Sequence, residues 1–321
     1  LASDRSSAAL RLTLFLASLL ALPREARADD DARVEPIVPP TLPSLTHRDP
    51  TFGYQLTGAG IGEEPRAAKG SAKTAYAWFA HSEIDYPVTP RRWFFGAAWD
   101  VASGVAPGLG RELLVGSPEV SVRGVWSNKS GLSAGGSLGM VVPLGRDLSS
   151  RGRAVLSMVR AVRPWDSAYF QESALTARPA LDMRLVVSPF LFQLRQGLDV
   201  SYSFTEGHSD VSARMSAYVG VDLAKTIALG LELFEIYPIT AVIPDDKRAA
   251  FTFSPSVRFR FGNVEPGIGV LMPFNTPLGG TASAFFAVRL GVTVVVDRFP
   301  EPEVKSARRA TTAQTSAAPL F

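Results

Sequence analysis

Three observations predict an all-β chain whose strands close into an antiparallel transmembrane β-barrel of about twelve strands. Apolar and polar residues alternate with period two, the alternating stretches are long, and short connections take turns with longer ones. The pattern is plainest in the eleven residues Phe251-Thr-Phe-Ser-Pro-Ser-Val-Arg-Phe-Arg-Phe261. Phe251, Phe253, Val257, Phe259 and Phe261 fall on one parity; Thr252, Ser254, Ser256, Arg258 and Arg260 fall on the other. A strand sends alternate side chains to opposite faces, so one face is greasy and the other polar. Strands of soluble sandwiches run to roughly five or six residues, whereas a strand crossing a bilayer at a tilt needs about nine to eleven.

Taken from the start, residues 1–28 read as a secretory signal peptide. Arg5 and Arg11 supply a basic region, Leu12 to Leu22 an apolar one, and Ala26-Arg27-Ala28 a small-x-small cleavage pattern. An apolar helix of that length rises about 16 Å, roughly half the hydrocarbon thickness, so a membrane anchor is not expected there. Residues 29–51 are Pro-rich and read as an extended periplasmic linker. Residues 52–296 carry the alternation and form the barrel. Residues 297–321, with Pro300, Pro302 and a Thr/Ala/Ser stretch, are expected to be a disordered C-terminal tail.

Within the barrel the strands are expected at 52–62, 74–86, 91–103, 117–127, 131–143, 175–188, 191–204, 211–223, 225–237, 250–261, 264–274 and 284–296. The connections at 87–90, 128–130, 189–190, 224 and 262–263 are short; those at 63–73, 104–116, 205–210, 238–249 and 275–283 are longer. Short periplasmic turns alternating with longer outer loops is the rhythm of a bacterial outer-membrane barrel. Residues 152–163 also carry apolar residues and could be a strand. Counting them with a segment near 166–174 gives fourteen strands; leaving them out gives twelve, an even number with both termini on the periplasmic side. On the twelve-strand reading, 144–174 is one long external or inward-folded loop with room for a short helix.

Composition narrows the function. The 321 residues carry 33 Lys+Arg against 30 Asp+Glu, a net charge of +3, and no basic stretch is interleaved with aromatics, so nucleic acid is not an expected partner. There is no Cys and there are three His, which leaves no basis for thiolate or His-rich metal sites; neither metal nor cofactor is expected. The signal, the alternating strands and the aromatic strand ends together resemble Gram-negative outer-membrane β-barrel proteins. The last strand, Arg289-Leu-Gly291-Val-Thr-Val294-Val-Val296, looks like the C-terminal signal read by the barrel-assembly machinery, although no aromatic closes it and a tail follows. The resemblance implies residence in the cell outer membrane, with its lipid and that machinery as partners.

The polar parity gathers Arg123, Arg184, Arg195, Arg214, Arg258, Arg260 and Arg289 with Glu119, Asp182, Asp199, Asp222, Glu232 and Glu265. In a barrel this face lines the lumen. One reading is a charged pore that passes small polar solutes passively, with Arg258 and Arg260 biasing it toward anions and Glu232 available to pair with one of them. The other is a non-conducting structural or interaction barrel, its lumen cross-braced by Arg–carboxylate pairs because buried charges need partners. His81, near Glu83 and Asp85, and His208, in Glu206-Gly-His-Ser-Asp210, are the candidates for general-base chemistry. No Gly-x-Ser-x-Gly or His-Glu-x-x-His motif accompanies them, and an enzyme is not expected. The carboxylates of 206–210 and 244–248 suit turns better than Ca²⁺ loops. Trp78, Trp93, Trp99, Trp126 and Trp165 suit the girdles at the two membrane interfaces.

Overall fold

A computed structural model describes Thr46 and residues 50–296, apart from 64–74, 90–91, 107–109, 129–130, 146–147, 225, 241–247 and 275–281. The expected signal peptide, most of the linker and the tail lie outside the described residues. The strands are β1 (Thr51–Glu63), β2 (Ala75–Thr89), β3 (Trp93–Ala106), β4 (Gly110–Val115), β5 (Glu119–Ser127), β6 (Leu132–Val141), β7 (Ala174–Val187), β8 (Phe190–Ser203), β9 (Ser209–Ala224), β10 (Ile227–Pro238), β11 (Ala250–Phe259), β12 (Val264–Pro273) and β13 (Ala282–Val295). Every pairing is antiparallel, and β1 pairs with both β2 and β13, so the sheet closes on itself. Closure removes the open edges that a sheet in lipid could not satisfy.

Twelve strands make the wall, because β4 and β5 lie end to end against one partner. Val115 pairs with Val101 and Glu119 pairs with Ala98 of β3, so Gly116, Ser117 and Pro118 stand opposite only Trp99 and Asp100. This is a β-bulge, with one extra residue on one side. The expected long connection at 104–116 is therefore corrected: pairing continues through Val105 with Arg111 and Ala106 with Gly110, and Gly110 turns the chain with φ +90°.

The faces follow the parity of the sequence. Phe52, Tyr54 and Leu56 of β1 and Leu229, Leu231 and Leu233 of β10 are exposed on the outside, while Gln55, Thr57, Ala228 and Glu232 are buried within. An apolar belt around a closed barrel is the surface that lipid covers. Trp93 and Trp99 are exposed among the outward residues, whereas Trp165 is buried inside and belongs to no girdle.

The described residues 148–170 turn inward. Ser149 caps a helix, α1 (Ser150–Val162), by accepting from the Gly152 amide at 3.0 Å, and a 3-10 turn follows over Pro164–Phe170. Val155, Val159 and Val162 recur at helical spacing and are fully buried; Arg153, Ser157 and Arg160 recur on the opposite face and stay exposed. That 3.6-residue period is why the segment is no strand, and the fourteen-strand alternative falls with it. A helix with its side chains is about 10–12 Å across, and Ala59, Ala77, Ala102 and Ala287 supply the room by keeping the inner wall small. Both ends of the segment leave the wall at one place, where Val141 of β6 pairs with Thr176 of β7.

Candidate functional site: an occluded lumen

The plug made of α1 and the 3-10 turn enters from the long-connection end and divides the lumen. Its apolar face packs on β2, β3, β4 and β13, where Phe79 of β2 and Leu114 of β4, with Leu271 from β12, complete an apolar cluster. Trp165 stacks on Phe234 of β10, with centroids 4.4 Å apart and planes 11° from parallel. Such a pair contributes about 0.5–1.5 kcal/mol beyond its buried area.

Polar bonds seat the tip of the plug. Arg163 pairs with Asp166 within the tip and donates to Thr57 Oγ1 of β1 at 3.4 Å. Tyr169 donates its hydroxyl to Glu119 of β5 at 2.6 Å. Burial holds that phenol protonated, well above its ordinary range, so the donor is present at any physiological pH. Burial also pushes the Asp166 carboxyl up, against the pull of Arg163 beside it. The Ser117 amide donates to the Tyr169 carbonyl at 2.6 Å, which ties the plug to the bulge in the wall.

Above the plug, a cleft of about 730 Å³ opens between the exposed face of α1 and the upper ends of β7, β8 and β9. Below it, a chamber of about 80 Å³ is lined by charged side chains, Arg123, Arg195 and Arg214 among them. Along the β7–β9 wall polar groups stand between the two. Thr176 and Ser201 share a hydrogen bond at 2.9 Å, and Thr176 also bonds Gln171 at 3.2 Å. Beneath them Asp199 accepts from Arg178 at 3.0 Å and pairs with Arg214 at 2.9 Å. Arg178 further pairs with Glu119 at 2.6 Å and donates to the Trp165 carbonyl at 3.0 Å.

The remaining residues of the polar parity are distributed round the wall. Arg123 pairs with Asp85 at 3.0 Å and lies over the Phe94 ring at 3.8 Å. Asp182 stands opposite Arg195 and accepts from Gln193 at 2.7 Å, with Arg184 opposite Gln193. Arg258 and Arg260 converge on Glu265 of β12, at 3.7 and 3.0 Å. Arg289 is buried and donates to Ser254 at 3.3 Å, while Glu232 is buried opposite Ser254 and Tyr218. Asp222 is exposed at the short-turn end of β9.

Arg178 is not among the lumen residues expected from the sequence, although it shares its parity with Asp182 and Arg184 on β7, which is the signal that places it there. That signal could not reach Arg163, Asp166 or Tyr169, because the plug has no period-two pattern. His81 bonds Asp100 on the neighbouring strand at 2.5 Å, a partner not adjacent in sequence, and also reaches Glu83, named beside it in the sequence, at 3.5 Å. His208 lies between Glu206 at 3.2 Å and Asp210 at 3.0 Å on the outer rim.

No protein-family model and no curated protein matches this chain. Solved structures do. An outer membrane channel from Pseudomonas putida F1 matches with a TM-score of 0.55 at 13% identity, over 82% of this chain and 100% of that one. This chain folds as an outer-membrane β-barrel. The β-domain of the Bordetella autotransporter BrkA matches with a TM-score of 0.43 at 10% identity, over 77% and 100% of the two chains. The transport unit of the autotransporter AIDA-I from Escherichia coli gives 0.42 at 15%, over 80% and 94%.

Proposed function

We propose that this outer-membrane barrel is a channel for passive passage of small polar solutes, narrowed by its own plug. The observation that carries the reading is the asymmetry of the plug's seat. α1 is sealed by apolar packing on β2–β4 and β13, yet on the β7–β9 side hydroxyls, an amide and ion pairs stand between the cleft above and the charged chamber below. A wall of hydroxyls, an amide and ion pairs offers a hydrated solute replacement hydrogen bonds, which an apolar seal does not. On this reading Arg178, Asp199 and Arg214 form the constriction, and opening requires that the plug tip release Arg178 and Glu119 together with its bonds to Thr57 and Ser117. Arg195, Arg258 and Arg260 then line the route on its periplasmic side.

The apolar seal and the ion pairs favour a second reading, a permanently closed barrel that serves as a scaffold for its outer loops. Conductance of the refolded full chain in a planar bilayer separates the two. The channel reading expects small discrete openings in the wild type. Tyr169→Phe, which removes the donor to Glu119, should make them more frequent. A silent wild type together with a silent Tyr169→Phe variant overturns the channel and leaves the scaffold.

A further inference from the structure

The exposed face of α1 does no packing work, and its composition calls for another explanation. Arg153, Ser157 and Arg160 lie on one stripe of the helix, turned toward the outer cleft. Arg153 is neutralised by Glu172 at 3.3 Å. Among the described residues Arg160 has no such direct pair, although Asp210 and Glu172, which line the same cleft, act on it electrostatically. The helix wall of the cleft therefore presents one guanidinium without a hydrogen-bonded carboxylate.

The opposite wall carries the reverse sign. Glu206 and Asp210 flank His208, and Asp210 is further held by Thr240 at 3.2 Å. The two carboxylates outnumber the one imidazole between them, so an excess of negative charge faces the guanidinium. Between the walls stand neutral donors and acceptors, Ser201, Ser203 and Gln171. The volume of about 730 Å³ lies within the range of small-molecule sites.

We infer that this cleft binds small zwitterionic solutes, amino acids or short peptides, with the carboxylate toward Arg160 and the ammonium toward Asp210 and Glu206. A simple anion in the cleft meets Arg160 but also the acidic rim; a simple cation meets the rim but also Arg160. Only a solute carrying both charges, spaced by a few bonds, satisfies both walls. Its amide groups then face the hydroxyls and the Gln171 side chain. The inference rests on the channel reading for its role, as the entry site of the permeating solute, and not for the binding itself.

Binding is therefore measured without transport, by calorimetry on the refolded full chain in detergent. The probes are glycylglycine, its uncharged-end analogues N-acetylglycylglycine and glycylglycinamide, and glucose. Glycylglycine should bind about tenfold or more tightly than either analogue, the worth of one charge-assisted contact. Arg160→Gln should abolish its advantage over glycylglycinamide. Asp210→Asn, or Glu206→Gln where the first disturbs the rim, should abolish its advantage over N-acetylglycylglycine. Equal binding of the dipeptide and both analogues, or variants without effect, overturns the inference. Selective binding in a protein that never conducts removes the channel and keeps the site; conduction without dipeptide preference does the reverse.

Discussion

At the scale of single residues, the wall is decided by which side of the sheet a side chain leaves. Leu231 is exposed on the lipid face between Gly230 and Glu232, whose positions face inward. Leu231→Arg should cost about 2–4 kcal/mol, the penalty of a cation near the middle of the bilayer. A urea refolding titration checks it, and an unchanged midpoint would mean that the side chain does not face lipid. One residue away the constraint is steric. A Cβ on Gly230 would lie 2.6 Å from Cζ of the Tyr218 ring, which is laid along the inner wall across β9 and β10. Lipid selects at one of these neighbours and packing at the other.

At the scale of elements, the plug and the wall are held by different forces. Trp165→Ala removes the stack on Phe234 and a fully buried ring, a loss of about 3–5 kcal/mol for a core tryptophan. That loss falls on the docking of the plug, since no wall strand pairs through Trp165. Hydrogen exchange should quicken at the α1 amides and stay unchanged in β8 and β9; uniform quickening would show that plug and wall unfold together. The same division explains what could be read from the sequence. The strands of the wall were legible to within a few residues because lipid outside and polar lumen inside impose period two on every one of them. The plug was legible only as one loop, external or inward-folded, with room for a short helix, because it meets neither lipid nor bulk water on its packed side. Its helical period, Val155, Val159 and Val162 against Arg153, Ser157 and Arg160, occupies few turns and overlaps an alternation a strand could also show. The β4 hairpin was missed for another reason: Gly110 and Gly116 bracket it like loop residues, and only the pairing with β3 reveals a strand.

At the scale of the whole molecule, closure of the barrel makes resistance to detergent a collective property. Among the described residues every wall strand apart from the short β4 is bonded on both sides, so those strands do not fray without breaking the ring. The purified protein should migrate differently on a gel before and after boiling. Identical mobility, with partition into the soluble periplasmic fraction, would count against a closed membrane barrel. The distribution of charge is also a whole-molecule matter. The acids and bases of the inner face are nearly balanced in number, and the structure marries them across strands: Arg178 to Glu119 and Asp199, Arg123 to Asp85, Arg258 and Arg260 to Glu265. Such pairs are costly to break one partner at a time, so the inner wall keeps its shape whatever the plug does.

The shared exit of the plug's two ends beside Val141 and Thr176 makes the filling of this barrel modular. Those residues are already cross-strand partners, so the stopper is an insertion in a single hairpin and the wall is continuous without it. Excising 144–172 and joining the strands through a short glycine-containing turn deletes no wall pairing. The shortened chain should keep heat-modifiable migration while its conductance rises well above that of the full chain. A variant that fails to fold would show instead that the helix serves as a mandrel on which the ring is wound. Success would mean that bore and selectivity can be exchanged by swapping one cassette, leaving the outer shell untouched.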